Sequence, residues 1–260
     1  RDAARPRPLL VCFSHLRWDF VHQRPQHLLS RNAPLQRVFY LEEPVFDADE
    51  PRMDLTRREV GVQVGVAHLP AGLPSEEVLR LERALLDALL AEQGVKDFIA
   101  WYYTPMALPF SDHLRPAVTV YDCMDELSQF KDAPSALSRC EARLLQRADV
   151  VFTGGYSLYE AKCGQHPNIH PYPSSIDLGH FAQAREMLPD PADQAGIGGP
   201  RIGFFGVLDE RLDTDLLGRV ARARPDWQLV MVGPTVKIDP SSLPQGENLH
   251  YLGPKRYEEL

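Results

Sequence analysis

Residues 201–217, RIGFFGVLDERLDTDLL, change character twice within one short run. An apolar stretch, IGFF, ends at Gly206. A loop carrying Asp209, Glu210 and Arg211 follows, and then leucines and polar residues alternate at helical spacing over about 213–224. A strand buried on both faces reads as an unbroken apolar run, and a helix directly after it makes a βα unit of a parallel sheet. Gly206 stands at the strand's end, where a residue without Cβ lets the backbone approach a ligand. The strand-like runs WQLVMVG (227–233) and NLHYLG (248–253) follow at βα spacing, each closing on a glycine, Gly233 and Gly253.

Upstream, the same alternation is already present. PLLVCFSHL (8–16) reads as a first strand, followed by a helix starting near Pro25. RVFYLEEP (37–44), a loop, and GVQVGVAHLP (61–70) come next. Residues 75–93 form a predicted helix with Ser75 as N-cap and a core stripe of Val78, Leu81, Leu85 and Leu89. KDFIAWYYTP, AVTVYDCMDE, a helix over 135–148, DVVFTGG, a short helix from Ser157 and NIHPYP complete the series. The expected class is α/β: two Rossmann-like, doubly wound parallel-sheet domains, the second truncated. Residues 182–199, rich in Pro, Gly, Ala and Asp, read as a linker between domains 1–181 and 200–260.

A net charge of −8 over 260 residues excludes a broadly basic nucleic-acid-binding surface. The sequence has no apolar run of ~18 residues. The four cysteines, Cys12, Cys123, Cys140 and Cys163, are far apart and form no CxxC pair, so neither a metal site nor a disulfide framework is expected from them. Cys12 and Cys123 fall in apolar strand patterns and read as buried thiols of a reducing, cytoplasmic protein.

Residues 173–181, PSSIDLGHF, resemble the segment that leads from the first to the second domain of family 4 glycosyltransferases. Pro173, Asp177 and Phe181 fall at the family's spacing, and Ser175 replaces its usual glycine. IGFFGVLDERLDTDLL, WQLVMVGP and NLHYLGPKRYEEL then resemble the opening strands and loops of the donor domain. RWDFVHQRPQHL, VYDCMDE and FTGGYSLYEAK are similar to a bacterial branch that builds cell-surface polysaccharides, including teichuronic acid-type transferases. The resemblance implies a GT-B fold, a nucleotide-diphosphate sugar as donor substrate, and a glycan or lipid-linked acceptor. It implies retention of anomeric configuration and neither metal nor other cofactor. A cytoplasmic location is expected, with peripheral contact at the inner membrane face.

Donor binding is expected at Gly206, Arg211, Gly233, Lys237 and Gly253. Arg211 stands near the family's second phosphate cation, while Val207 replaces the first. Lys237, in GPTVKIDP, is the candidate for the missing charge. Fixed cations at a leaving diphosphate lower the barrier directly, because negative charge grows there as the anomeric bond breaks.

Asp122, Asp125 and Glu126 crowd the end of one strand, where like charges raise carboxyl pKa values. Asp122 and Asp125, with Arg211, are the catalytic candidates, and Glu126 is assigned to the acceptor. The chain has no glycine before Gly61, so the first strand ends instead in a polar and aromatic cluster. His15, Arg17, Trp18, Asp19, Gln23 and Arg24 are expected to hold the acceptor, with Trp18 as a platform. The competing reading is a Trp packed on the core and Arg24 paired to a carboxylate. Trp101, Tyr102 and Tyr103 are expected to pack rather than to bind sugar.

The family's Glu-containing donor motif is not found in these 260 residues. Two alternatives therefore stay open beside a transferase: a sugar-nucleotide epimerase of the same fold, and a non-catalytic nucleotide- or glycan-binding fragment.

Overall fold

A computed structural model describes residues 8–260. The chain divides into two compact units, one running to Ser175 and the other from Ile176 to Leu260. The stretch 182–199 thus lies inside the second unit: Ile197 is buried there, and Asp190 and Asp193 form ion pairs with Arg201 and Lys255.

The first unit is built on strands β1 (Leu9–Phe13), β2 (Val38–Leu41), β3 (Arg52–Arg57), β4 (Gln63–His68), β5 (Phe98–Tyr102), β6 (Val118–Cys123), β7 (Val150–Thr153) and β8 (Ile169–Pro171). Their order in the sheet is β3-β4-β2-β1-β5-β6-β7-β8, parallel throughout except for β3, which pairs antiparallel to β4. β3 is a correction to the expected loop. Its sequence, RMDLTR, is half polar because it forms an outer edge with only Met53 and Leu55 turned inward, so no apolar run announces it.

Among the described residues this unit has five α-helices: α1 (Arg24–Asn32), α2 (Ser75–Glu92), α3 (Leu108–Ser111), α4 (Leu137–Arg147) and α5 (Tyr156–Lys162). One core cluster joins Val11, Phe13, Tyr102 and Tyr121 of the sheet to Leu86, Leu89 and Leu90 of α2 and to Leu144 and Leu145 of α4. Each such leucine contributes roughly 1.5–3 kcal/mol through the water it leaves. On the other face Leu29 of α1 packs with Leu10, Cys12, Tyr40 and Trp18.

Two expectations for α2 fail. Pro74, not Ser75, is the N-cap, and no side chain caps the helix. The buried face is Glu82, Leu86, Leu89 and Leu90, while Val78, Leu81 and Leu85 are half-buried. Leucines surround so much of this helix that their spacing does not define its phase.

The second unit holds α6 (Leu178–Phe181), β9 (Arg201–Phe205), α7 (Thr214–Ala223), β10 (Gln228–Val232) and β11 (Leu249–Gly253). The three strands are parallel in the order β11-β10-β9. Asp177 caps α6 by accepting from the Gly179 and His180 N–H groups. β9 is apolar yet largely uncovered. Ile202 and Phe204 line a groove of 360 Å³ beside α7, and Phe205 lines a 750 Å³ cavity with Phe181, Val232 and Lys255. Cys12, Cys123 and Cys140 are buried and Cys163 is exposed, all as free thiols. Among the described residues, no helix is long and apolar enough to cross a membrane, and no three His, Cys, Asp or Glu side chains converge as a cation site.

Candidate functional site

Ligands of open parallel sheets sit beyond the carboxyl ends of the strands, so each unit offers one such rim. In the first unit the crossing point lies between β1 and β5, where the chain leaves to one side for β2 and returns on the other.

The loop after β1 is fastened by side chains. The Tyr40 hydroxyl donates to the Leu16 carbonyl at 2.9 Å and lies 2.7 Å from Ser14 Oγ, whose hydroxyl can donate to it. Arg17 Nη1 donates to Glu42 Oε2 at 3.0 Å and to the Glu43 carbonyl at 2.6 Å. Glu42 Oε1 accepts the Trp18 N–H at 2.7 Å, and Asp19 pairs with Arg58. Gln26 of α1, fully enclosed, donates to the Trp18 and Val21 carbonyls and accepts the Gln23 N–H at 3.0 Å. Trp18 is not a sugar platform: it is buried edge-on against Tyr40, ring centroids 5.1 Å apart. Arg17 and Asp19, expected at the acceptor, each have an ion-pair partner within the unit. His15 and Gln23 remain half-buried on the rim.

Arg24, at the start of α1, reaches Asp122 at the end of β6. Its Nε donates to both carboxylate oxygens at 3.0 Å, and its Nη1 donates to the Tyr172 carbonyl at 2.6 Å. The Asp122 side chain is 0% exposed and that of Arg24 8%. Asp122 therefore presents no surface to a substrate, and its expected catalytic role and Arg24's acceptor role give way to a closed ion pair. Burial pushes the Asp122 carboxyl up and Arg24 pulls it back. Crowding by neighbouring acids is not the cause. Trp101 Nε1 and the Tyr103 hydroxyl lie beside the same carboxylate and also lower its pKa. Tyr102 stacks on Phe13 at 4.7 Å, so two of the three aromatics pack fully while Trp101 is half-buried against Phe152.

Glu126 also has a fixed role. Its Oε2 pairs with Lys162 Nζ at 2.9 Å and its Oε1 accepts from Ser128 at 2.7 Å. Burial alone raises the Glu126 pKa, but these bonds carry it below the usual carboxylate range. Lys162 is itself buried and shared with Glu141, which also accepts from the Tyr121 hydroxyl at 2.7 Å. The residues after β6 are thus clamped to α4 and α5. Gly154 completes the clamp: a Cβ there meets the Met124 carbonyl at 2.5 Å. Asp125 is half-buried on this turn. The expected acceptor wall is therefore partly internal scaffolding: Trp18, Arg24 and Asp122 are enclosed, His15, Gln23 and Asp125 are half-buried, and Arg17 and Asp19, though ion-paired, keep 40% and 64% of their side chains exposed.

The rim of the second unit is built from backbone. Gly206 (φ +149) and Gly233 (φ +144) end β9 and β10 in conformations that side chains rarely adopt. They touch: a Cβ on Gly233 overlaps the Gly206 carbonyl at 1.8 Å. The Gly206 N–H donates to the Val232 carbonyl and the Gly233 N–H to the Gly253 carbonyl, each at 2.9 Å, so all three expected glycines share one rim. Beyond them the two loops pair as a short parallel bridge, Leu208 with Thr235. Asp213 caps α7 by accepting the Leu216 N–H at 2.8 Å.

Arg211 is gripped by Asp209. Asp209 Oδ1 accepts from the Arg211 backbone N–H and Nε, and Oδ2 accepts from Nη2 at 2.6 Å. The Arg211 guanidinium holds Asp209 below the usual carboxylate range, against a smaller opposing effect of burial, and the Lys237 charge adds to the depression. Lys237 sits at φ +61, the left-handed region that costs a lysine roughly 1–2 kcal/mol. Glu210, which the sequence did not single out, places both carboxylate oxygens out of solvent without a hydrogen-bond partner.

Comparison with known proteins gives three findings. No protein-family model matches the chain. Over 166 residues it is 25% identical to TuaH of Bacillus subtilis (strain 168), a protein assigned to teichuronic acid biosynthesis as a glycosyltransferase. That match covers 58% of this chain and 41% of TuaH, so the chain spans about two fifths of that relative. In fold it is similar to a trehalose-6-phosphate structure from E. coli bound with UDP-2-fluoro glucose: TM-score 0.63 at 13% identity, over 97% of this chain and 75% of that one. The Anabaena Alr3699/HepE structure in complex with UDP and glucose matches with TM-score 0.62 at 15% identity, over 95% of this chain and 69% of that one. The likeness shows the α/β fold of the GT-B class.

Proposed function

We propose that this chain is part of a glycosyltransferase that moves a sugar from a nucleotide diphosphate to a glycan or lipid-linked acceptor in cell-surface polysaccharide synthesis. The observation that carries the reading is the rim of the second unit. There, two glycines bring backbone together at the ends of β9 and β10, and the loops that follow carry Arg211 and Lys237, both acting on Asp209. The sequence similarity to TuaH and the UDP and UDP-sugar complexes of the fold's neighbours support it.

In this reading Gly206, Gly233 and Gly253 form the floor under the diphosphate, and Arg211 and Lys237 neutralise it. As the anomeric bond breaks, charge accumulates on the leaving diphosphate, and cations already in place need no reorganisation to stabilise it. The acceptor belongs to the rim of the first unit, where His15, Gln23 and Asp125 remain in reach. Reaction without a metal ion accords with fixed cations in that role, and retention of configuration is proposed from the resemblance of the donor segments alone.

The test is transfer or hydrolysis by the intact protein across a panel of sugar nucleotides. A turnover that survives EDTA and falls at least tenfold in Arg211→Ala is expected. Wild-type turnover that Arg211→Ala leaves unchanged would remove the loop from the reaction.

A further inference from the structure

We propose that Asp209 is a positioning residue: it holds the Arg211 guanidinium, with Lys237 alongside, in the geometry that receives a diphosphate. The inference rests on the diphosphate reading above and adds a role that the sequence comparison did not suggest, since an acid in a phosphate loop looks like a defect.

Leu208 N–H donates to the Pro234 carbonyl at 2.9 Å, and Val236 N–H donates to the Leu208 carbonyl at 3.0 Å. These bonds fix Leu208, the residue before the carboxylate, and draw the chain before Lys237 against it. Asp209 is therefore a rigid post, its side chain only 10% exposed, while the Arg211 side chain it grips is 58% exposed. One carboxylate engages Arg211 through its backbone N–H, Nε and Nη2, which sets both the loop turn and the plane of the guanidinium. An exposed arginine that is ordered only on binding forfeits roughly two- to tenfold in affinity through lost side-chain freedom. Holding it beforehand removes that loss. The opposing effect is Coulombic, because the Asp209 charge repels a phosphate. The two effects predict opposite signs, which makes the inference decidable.

The experiment measures binding of inorganic pyrophosphate, which is independent of nucleotide base, to the intact wild-type protein and to Asp209→Asn, Asp209→Glu, Arg211→Ala and the double variant Asp209→Asn/Arg211→Ala. Thermal melts confirm that each is folded. If Asp209 positions Arg211, Asp209→Asn binds at least fivefold more weakly although a negative charge has gone. Asp209→Glu, which keeps the charge but moves it by a methylene, is also weakened. In the Arg211→Ala background, Asp209→Asn then leaves affinity unchanged or improves it, since the coupling has no second partner. Equal or tighter binding by Asp209→Asn in the wild-type background overturns the role of Asp209 and leaves that of Arg211. An equal loss in both backgrounds reduces Asp209 to a general structural residue and also overturns it. Wild-type protein that binds no pyrophosphate, or Arg211→Ala that binds as wild type does, overturns the diphosphate reading itself.

Discussion

The loops after β1 and after β9 occupy the same place in their units, yet they are made by opposite means. The first contains no glycine and is closed by side chains: Arg17 on Glu42, Asp19 on Arg58, Gln26 on two carbonyls and Arg24 on Asp122. The second brings backbone to backbone at Gly206 and Gly233 and leaves its arginine largely exposed. Cations alone thus do not mark a phosphate loop, since both loops have them. What differs is depth: the Arg24 and Asp122 side chains are 8% and 0% exposed, whereas the Arg211 side chain stays 58% exposed on the buried carboxylate of Asp209.

The largest expected effect tests that difference in depth. Arg24→Met strands the Asp122 charge in the core, and loss of one partner of a buried pair costs about 3–5 kcal/mol. Urea denaturation should show it, with most of the loss recovered in Arg24→Met/Asp122→Leu. Arg211→Met, breaking a pair whose arginine is largely exposed, should cost less than Arg24→Met does. Similar losses at both sites would erase the distinction between the loops.

Next in size is Gly233→Ala. The added methyl overlaps the Gly206 carbonyl and requires an unfavourable φ, so a loss of roughly 2–3 kcal/mol is expected, accompanied by weaker nucleotide binding. A neutral substitution would mean that the second rim is not held by backbone contact.

pH sharpens the contrast from the other side. Glu82, buried on α2, is pushed up to about 7, first by burial and then by the Glu43 charge; Glu43 adjoins Arg17 of the first loop. The folded state binds this proton more tightly than the unfolded state does, so stability falls as pH rises from about 4.5 to 7 and then levels. Glu82→Gln should flatten that slope by roughly 2 kcal/mol, read from denaturation at pH 4.5 and 8. An unchanged slope would place the ionisation elsewhere. The smallest effect is at Lys237, where Lys237→Gly relieves a left-handed backbone and should raise stability by about 1 kcal/mol while weakening diphosphate binding. Stabilisation without weaker binding would take Lys237 out of the site.

These contrasts also explain what the sequence made legible. Strand–glycine–helix order identified the fold and the Gly206, Gly233 and Gly253 rim because both follow from local rules: apolar runs, turn glycines and short spacing. In the first loop the structure bears out the competing reading, Trp18 on the core and Arg24 paired to a carboxylate, and the binding reading fails there because the partners are remote in sequence. Asp122 lies 98 residues from Arg24, and Glu42 lies 25 from Arg17. No periodicity joins them, so exposed-looking polar residues proved to be internal struts. Lys162 went unnoticed for the same reason, since a lysine near a helix end signals solvent until Glu126 and Glu141 are folded around it. β3 escaped because an edge strand needs few apolar residues.

The central claim is that phosphate recognition resides on the second rim and not on the loop that follows the first strand. Pyrophosphate affinity of Arg211→Ala against Arg17→Ala tests it most directly. The account predicts at least a tenfold loss for Arg211→Ala and less than a twofold change for Arg17→Ala. A loss at Arg17→Ala with Arg211→Ala unaffected would contradict it.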